Sequence, residues 1–142
     1  MEAPDRAPVW LKERRWMNRE LGSGWAVEID RGPDWLFISL QGHEPFDAAG
    51  IDLAASVWQL VDQEFVNRLV LEMDKVPVLR SELVGALVRL HARITSQGGV
   101  MRISGLSDEG FAVLRSCRLH DRFPQYRDRH DAVLGYRPNK PR

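Results

Sequence analysis

The sequence predicts an α/β domain on a mixed or mostly parallel sheet. Three observations carry that reading. Apolar runs with strand spacing alternate with longer runs at helical spacing, in the order β-β-α-β-α-β-α-β-α. The chain of 142 residues is 44% hydrophobic and 28% charged, enough for one domain with a real core. Within one stretch, Asn67 to Ile94, a short buried strand hands over to an amphipathic helix.

Residues 1–24 form a separate compositional unit, read as an N-terminal extension. The first eight residues hold two prolines and few apolar groups. From Val9 to Leu21, Trp10, Met17 and Leu21 fall roughly on one side, which predicts a short helix; Gly22-Ser23-Gly24 then breaks the chain. Trp10, Lys12, Arg14, Arg15, Trp16 and Arg19 make a basic-aromatic cluster. Such a cluster suits a peripheral membrane or partner-binding helix. Its apolar face is ragged, which favours a helix packed on the domain or an arm.

The domain proper spans 25–136, followed by a tail over 137–142 that holds two prolines. Trp25 to Asp30 alternates like a half-buried strand, Arg31-Gly32-Pro33-Asp34 is a turn signal, and Trp35 to Leu40 completes a hairpin. Gln41 to Phe46 is a loop, and Asp47 is placed to cap a helix from Ala48 to about Gln63, whose stripe is Ile51, Ala54, Ala55, Trp58 and Val61. Leu69 to Met73 is a buried strand ending at Asp74. After an irregular segment, Leu83, Leu87, Leu90 and Ile94 define the next helix, with Ser81 at its expected N-cap. Gln97-Gly98-Gly99 stops that helix, and Val100 to Ser104 is a strand. Ser107 caps a helix from Asp108 to about Arg118. Phe123 to Tyr126 is a fifth strand weakened by Pro124, and Asp128 to Leu134 a last helical turn or two.

Composition and spacing exclude several function classes. Lys plus Arg equals Asp plus Glu at 20 each, so no net charge draws the chain to nucleic acid or an acidic membrane. The single Cys117 excludes an intramolecular disulfide framework and fits a reducing compartment. No apolar run reaches the length of a membrane span, and the basic residues near the start deny it a secretory apolar core, so a cytoplasmic protein is expected. His43, His91, His120 and His130 show no metal-ligand spacing, and His120-Asp121 and His130-Asp131 read as solvated surface, while His91 lies on the Val84, Val88 flank of its helix and is expected to be partly buried. A nucleophile elbow needs glycine on both sides of the serine, but Leu79 and Leu83 stand there. Gly98-Gly99 reads as a turn and no phosphate loop appears. No enzyme, metal or cofactor is expected.

The stretch around Ser81 resembles the STAS family of sulfate transporters and anti-sigma factor antagonists. Members carry a strand ending in Asp, then Asp-Ser-Ser/Thr-Gly-Leu-Gly opening a helix. Asp74, Leu79, Ser81, Gly85 and Leu87 match that pattern; Arg80, Glu82 and Leu83 depart from it. Gly98 to Gly105 is similar to the family's glycine-pair, strand, glycine element, and Phe111 to Leu114 with Leu119, Phe123 and Tyr126 to its third helix and last strand. The resemblance implies about five strands with about four helices packed largely to one side. It implies a regulatory protein–protein interaction module with Ser81 as the phosphoacceptor and an anti-sigma factor/serine kinase-like partner. The docking face would be the Ser81 helix with loops 41–47 and 75–80, offering Arg80, Glu82, Asp74, Glu44 and Val84 as contacts. From the residues alone, Ser81 reads as an ordinary N-cap serine; only the family position sets the phosphoacceptor reading level with it. Two further readings stand beside the switch: a STAS scaffold without phosphorylation, in stress signalling or beside a transporter, and a small-ligand sensor with a pocket next to the Ser81 helix.

Overall fold

The structure is a computed structural model and describes residues 17–22, 25–42, 53–76 and 78–135. Five strands form one sheet in sequence order: β1 (Met17–Gly22), β2 (Trp25–Arg31), β3 (Leu36–Gly42), β4 (Arg68–Glu72) and β5 (Val100–Ser104). The described helices are α1 (Leu53–Glu64), α2 (Ser81–Ser96), α3 (Asp108–Ser116) and α4 (Arg129–Leu134). β1, β2 and β3 pair antiparallel, and β3, β4 and β5 pair parallel.

Strand alternation sets the two faces. Val27, Ile29, Leu36, Ile38, Leu40, Leu69, Leu71, Met101 and Ile103 join the main core, into which α1, α2 and α3 send Val57, Leu60, Leu83, Leu87, Leu90, Ile94 and Leu114. The parallel strands step in one direction across the sheet. Right-handed crossovers therefore lay α1 and α2 on the same face. The reverse face carries a smaller cluster of Val70, Tyr126 and Ala132 with Trp35, Phe37 and Val133, and is covered by α4. β4 is buried on both faces, as its continuous apolar run requires.

Charge organises the reverse face. Phe37 stands opposite Asp30 on one side and Val70 on the other. Arg129 of α4 descends onto this row. Its guanidinium grips Glu72 through two bonds of 2.7 and 2.9 Å, reaches Asp30 at 2.7 Å, and lies 4.3 Å above the Phe37 ring. These partners hold its pKa above the ordinary arginine value, Glu72 contributing most. Arg102 donates to the carbonyl of Ala132 at 2.7 Å and stacks on Trp35.

Three expectations need correction. Met17 to Leu21 is not the end of a helix: Met17–Gly22 is the fifth strand, paired with β2 from Met17↔Ile29 to Gly22↔Trp25. Met17 and Leu21 are four residues apart, a spacing that serves a strand face as well as a helix face. Phe123 to Tyr126 is not a strand; it contributes one bridge, Ser104↔Tyr126, because Pro124 has no N–H to donate to a ladder. Asp131 is not solvated. It is 5% exposed, 2.8 Å from Arg127, and its own N–H donates to the capping carboxylate of Asp128. The expected caps at Ser107 and Gln97-Gly98 are present, Gly98 with a φ of 79°.

Candidate functional site

The end of the sheet where the parallel strands finish gathers the predicted residues. β4 carries Met73 to this edge, where its N–H donates to Ser104 O of β5 at 2.8 Å. Val76 N–H donates back to Met73 O at 3.1 Å and turns the chain. Asp74 and Lys75 are exposed on this turn. Lys75 Nζ lies 3.2 Å from Glu28 Oε1, an exposed pair worth at most about 1 kcal/mol that ties the loop to β2. Gly105 closes in from β5. It has a φ of 75°, and a Cβ there would fall 2.9 Å from the Cβ of Asp74.

Leu79 is buried and anchors the segment before α2, while Val78 beside it is 54% exposed. Arg80 is the N-cap residue, with extended backbone (φ −93°, ψ 164°) and no side-chain cap. Ser81 is the first helical residue and is exposed. The expectation that Ser81 caps the helix is thus displaced by one residue. The capping position belongs to Arg80, whose guanidinium has no acceptor to offer the free N–H groups. The first amide to find its helical partner is that of Val84, donating to Arg80 O at 2.9 Å. The amides of Ser81, Glu82 and Leu83 therefore precede the helical ladder and give this end a positive potential.

The structure brings Asp74, Arg80, Ser81 and Glu82 to one exposed edge. Val84 does not belong there. It is 7% exposed and packs in the core with Leu83 and Leu87, so it is no contact residue. Helical spacing had already placed Leu83 and Leu87 inward, and a position adjacent to Leu83 falls on the same broad stripe. Glu44, and Asp47 with the start of its helix, lie outside the described residues. Sequence reasoning missed Val78; its signal was an apolar residue in a loop flanked by a proline.

Elsewhere, His91 is half-buried with its ring edge-on to Phe123 at 5.1 Å. Burial, and then the charge of Arg122, hold its pKa below the ordinary 6.5. Among the described residues no group of His, Cys, Asp and Glu is arranged to hold a metal ion. No described helix is long and apolar enough to cross a membrane.

The STAS domain model matches residues 26–132, most of the chain and all of the edge just described. The chain belongs to the STAS domain family. No curated protein matches it. Among solved structures it is similar to an anti-sigma factor antagonist from Mycobacterium paratuberculosis, with a TM-score of 0.65 at 16% identity over 83% of this chain and 98% of that one. It is also similar to Moorella thermoacetica RsbS carrying a serine-to-glutamate substitution (TM-score 0.64, 14% identity, 78% and 93% covered) and to unphosphorylated SpoIIAA, an anti-sigma factor antagonist (0.60, 15%, 77% and 96%). At these identities the likeness shows the fold. The family match runs from β2 into α4 of this STAS chain, and β1 precedes it.

Proposed function

We propose that this STAS protein is a regulatory binding module of the anti-sigma factor antagonist type. It has no catalytic activity of its own. Its partner is an anti-sigma factor or serine kinase-like protein, and it docks through the edge formed by Val78, Arg80, Ser81 and Glu82 with Asp74. Phosphorylation of Ser81 ends the interaction. The observation that carries this reading is the exposed Ser81 at the first residue of α2, where the N-cap residue, Arg80, provides no side-chain cap to the free amides. A phosphate there is stabilised by the helix end and by Arg80, so the fold tolerates it. A partner must instead desolvate nearly two added negative charges, which weakens docking. Val78 supplies exposed apolar area in the segment that leads to Ser81.

Among the described residues, the space between α2 and the sheet gives no support to the ligand-sensor alternative. The cavity among Leu40, Leu71, Ala86, Leu87 and Leu90, between α2 and the sheet, measures only about 10 Å³, about the space for a single water. The scaffold alternative is separated by experiment. Incubation with candidate serine kinases, followed by mass-spectrometric site mapping, is expected to place phosphate on Ser81; a protein that is never modified there would act as a scaffold.

A further inference from the structure

The second turn of α2 holds a glycine whose missing side chain makes room for an arginine. Helix interiors disfavour glycine, yet Gly85 lies well inside α2. Among the described residues, a Cβ placed on it would meet only the side chain of Arg89, with Nη1 at 3.3 Å. No core side chain claims that space. The Arg89 guanidinium lies back over the preceding turn, as long helical side chains do. Ser81, Gly85 and Arg89 follow one another at four-residue steps, so each neighbours the next on the helix surface.

Arg89 is exposed and forms no ion pair or hydrogen bond with a described residue. Glu82 is the carboxylate of the first turn and is not paired with it. Arg93, one turn further on, is committed to Trp58, 4.8 Å from the ring centre. We infer, resting on Ser81 as the phosphoacceptor, that Arg89 holds the phosphate of modified Ser81 and draws it down over Gly85. Cβ positions four residues apart on a helix are about 5–6 Å from each other. Arg89 Nη1 already stands beside the Gly85 position, and a phosphoserine projects three acceptor oxygens into the interval that remains. A guanidinium fork can take two of them. Pairing then changes more than the charge at Ser81. It covers the furrow at Gly85 and alters α2 from Ser81 to Arg89, about 12 Å of docking surface.

The test installs phosphoserine at position 81 of the full chain during translation, so that no kinase is needed, and follows its second ionisation by phosphorus NMR at low salt. An unperturbed phosphoserine titrates near about pH 6, and the wild-type value is expected below it. Arg89→Gln should titrate at least about 0.3 of a pH unit above wild type. Gly85→Ala keeps the arginine but fills its resting place, and should move the value in the same direction. Arg93→Gln removes an equal charge one turn away and should leave the value in place. A rise for Arg89→Gln no larger than that for Arg93→Gln, or a Gly85→Ala value equal to wild type, overturns the proposal. The switch itself is tested separately: a partner that binds the phosphorylated and unmodified proteins alike would sink the switch and leave the Arg89 contact intact.

Discussion

Gly105 and Asp74 approach so closely that a side chain on the first would strike the Cβ of the second, at 2.9 Å. The contact joins the end of β5 to the turn that precedes α2, and Gly105 N–H, donating to Tyr126 O at 3.0 Å, fastens the same point to the chain beyond α3. Gly105→Ala adds both a clash and a left-handed alanine. It is expected to cost about 1–3 kcal/mol of stability by chemical denaturation. Adding Asp74→Gly should recover only part of this, since the Asp74 backbone N, 3.1 Å from such a Cβ, and the positive φ both remain.

Two serines at helix starts should behave differently. Ser107 Oγ accepts from Gly110 N–H at 3.0 Å, so Ser107→Ala should cost about 1 kcal/mol. Ser81 stands one residue inside its helix with Arg80 at the cap, so Ser81→Ala should change stability by no more than about 0.5 kcal/mol. Thermal melts of the two variants check the contrast. A loss at Ser81 as large as at Ser107 would mean that its hydroxyl is capping after all.

Much of the α/β pattern was legible because burial writes its period into the chain. Val27 and Ile29 alternate, Leu83, Leu87, Leu90 and Ile94 keep helical spacing, and Gly98 marks a helix stop with its positive φ. β1 was not legible, because Met17 and Leu21 satisfy both periods. The Arg129 grip was not legible either. Its partners, Asp30 and Glu72, lie 99 and 57 residues away, and only strand register brings them under α4. At the candidate site, spacing and family pattern pointed to Asp74, Arg80, Ser81 and Glu82, and the structure leaves all four exposed. Val84 was misassigned because sequence adjacency to the motif does not tell which side of the helix a residue takes.

The Arg129 grip should matter to stability. Arg129→Ala leaves two carboxylates facing each other on the reverse face and removes the cover of Phe37. A cost of about 1–3 kcal/mol is expected. Arg129→Lys should rescue little, since an ammonium cannot make the paired bonds to Glu72. Urea denaturation of both variants checks this.

His91 sets a modest pH dependence. Its folded pKa is lowered from 6.5, first by burial and then by Arg122. The unfolded chain therefore takes up the proton more readily. The contribution is complete above about pH 6.5 and is lost as pH falls through the unfolded value towards the folded one. Melting temperature should drop on acidification below pH 6.5, and His91→Gln should flatten that part of the profile.

The domain boundary is open to a direct test. We propose that residues 25–136 are the folding unit. Removing 1–22 uncovers the edge of β2 that β1 occupies. Cooperative unfolding should survive with reduced stability, since an exposed edge also invites association. Loss of cooperativity would place β1 inside the folding unit.

The most direct test of the switch is the affinity of the kinase-like partner for wild type, Ser81→Ala and the Ser81-phosphorylated protein, with melting temperatures recorded alongside. Wild type and Ser81→Ala should bind alike, while the phosphorylated form should bind at least about a hundredfold more weakly, about 2.8 kcal/mol, with its melting temperature unchanged. Equal affinity of all three forms would contradict the account, and a large fall in melting temperature on phosphorylation would mean that Ser81 is packed rather than exposed.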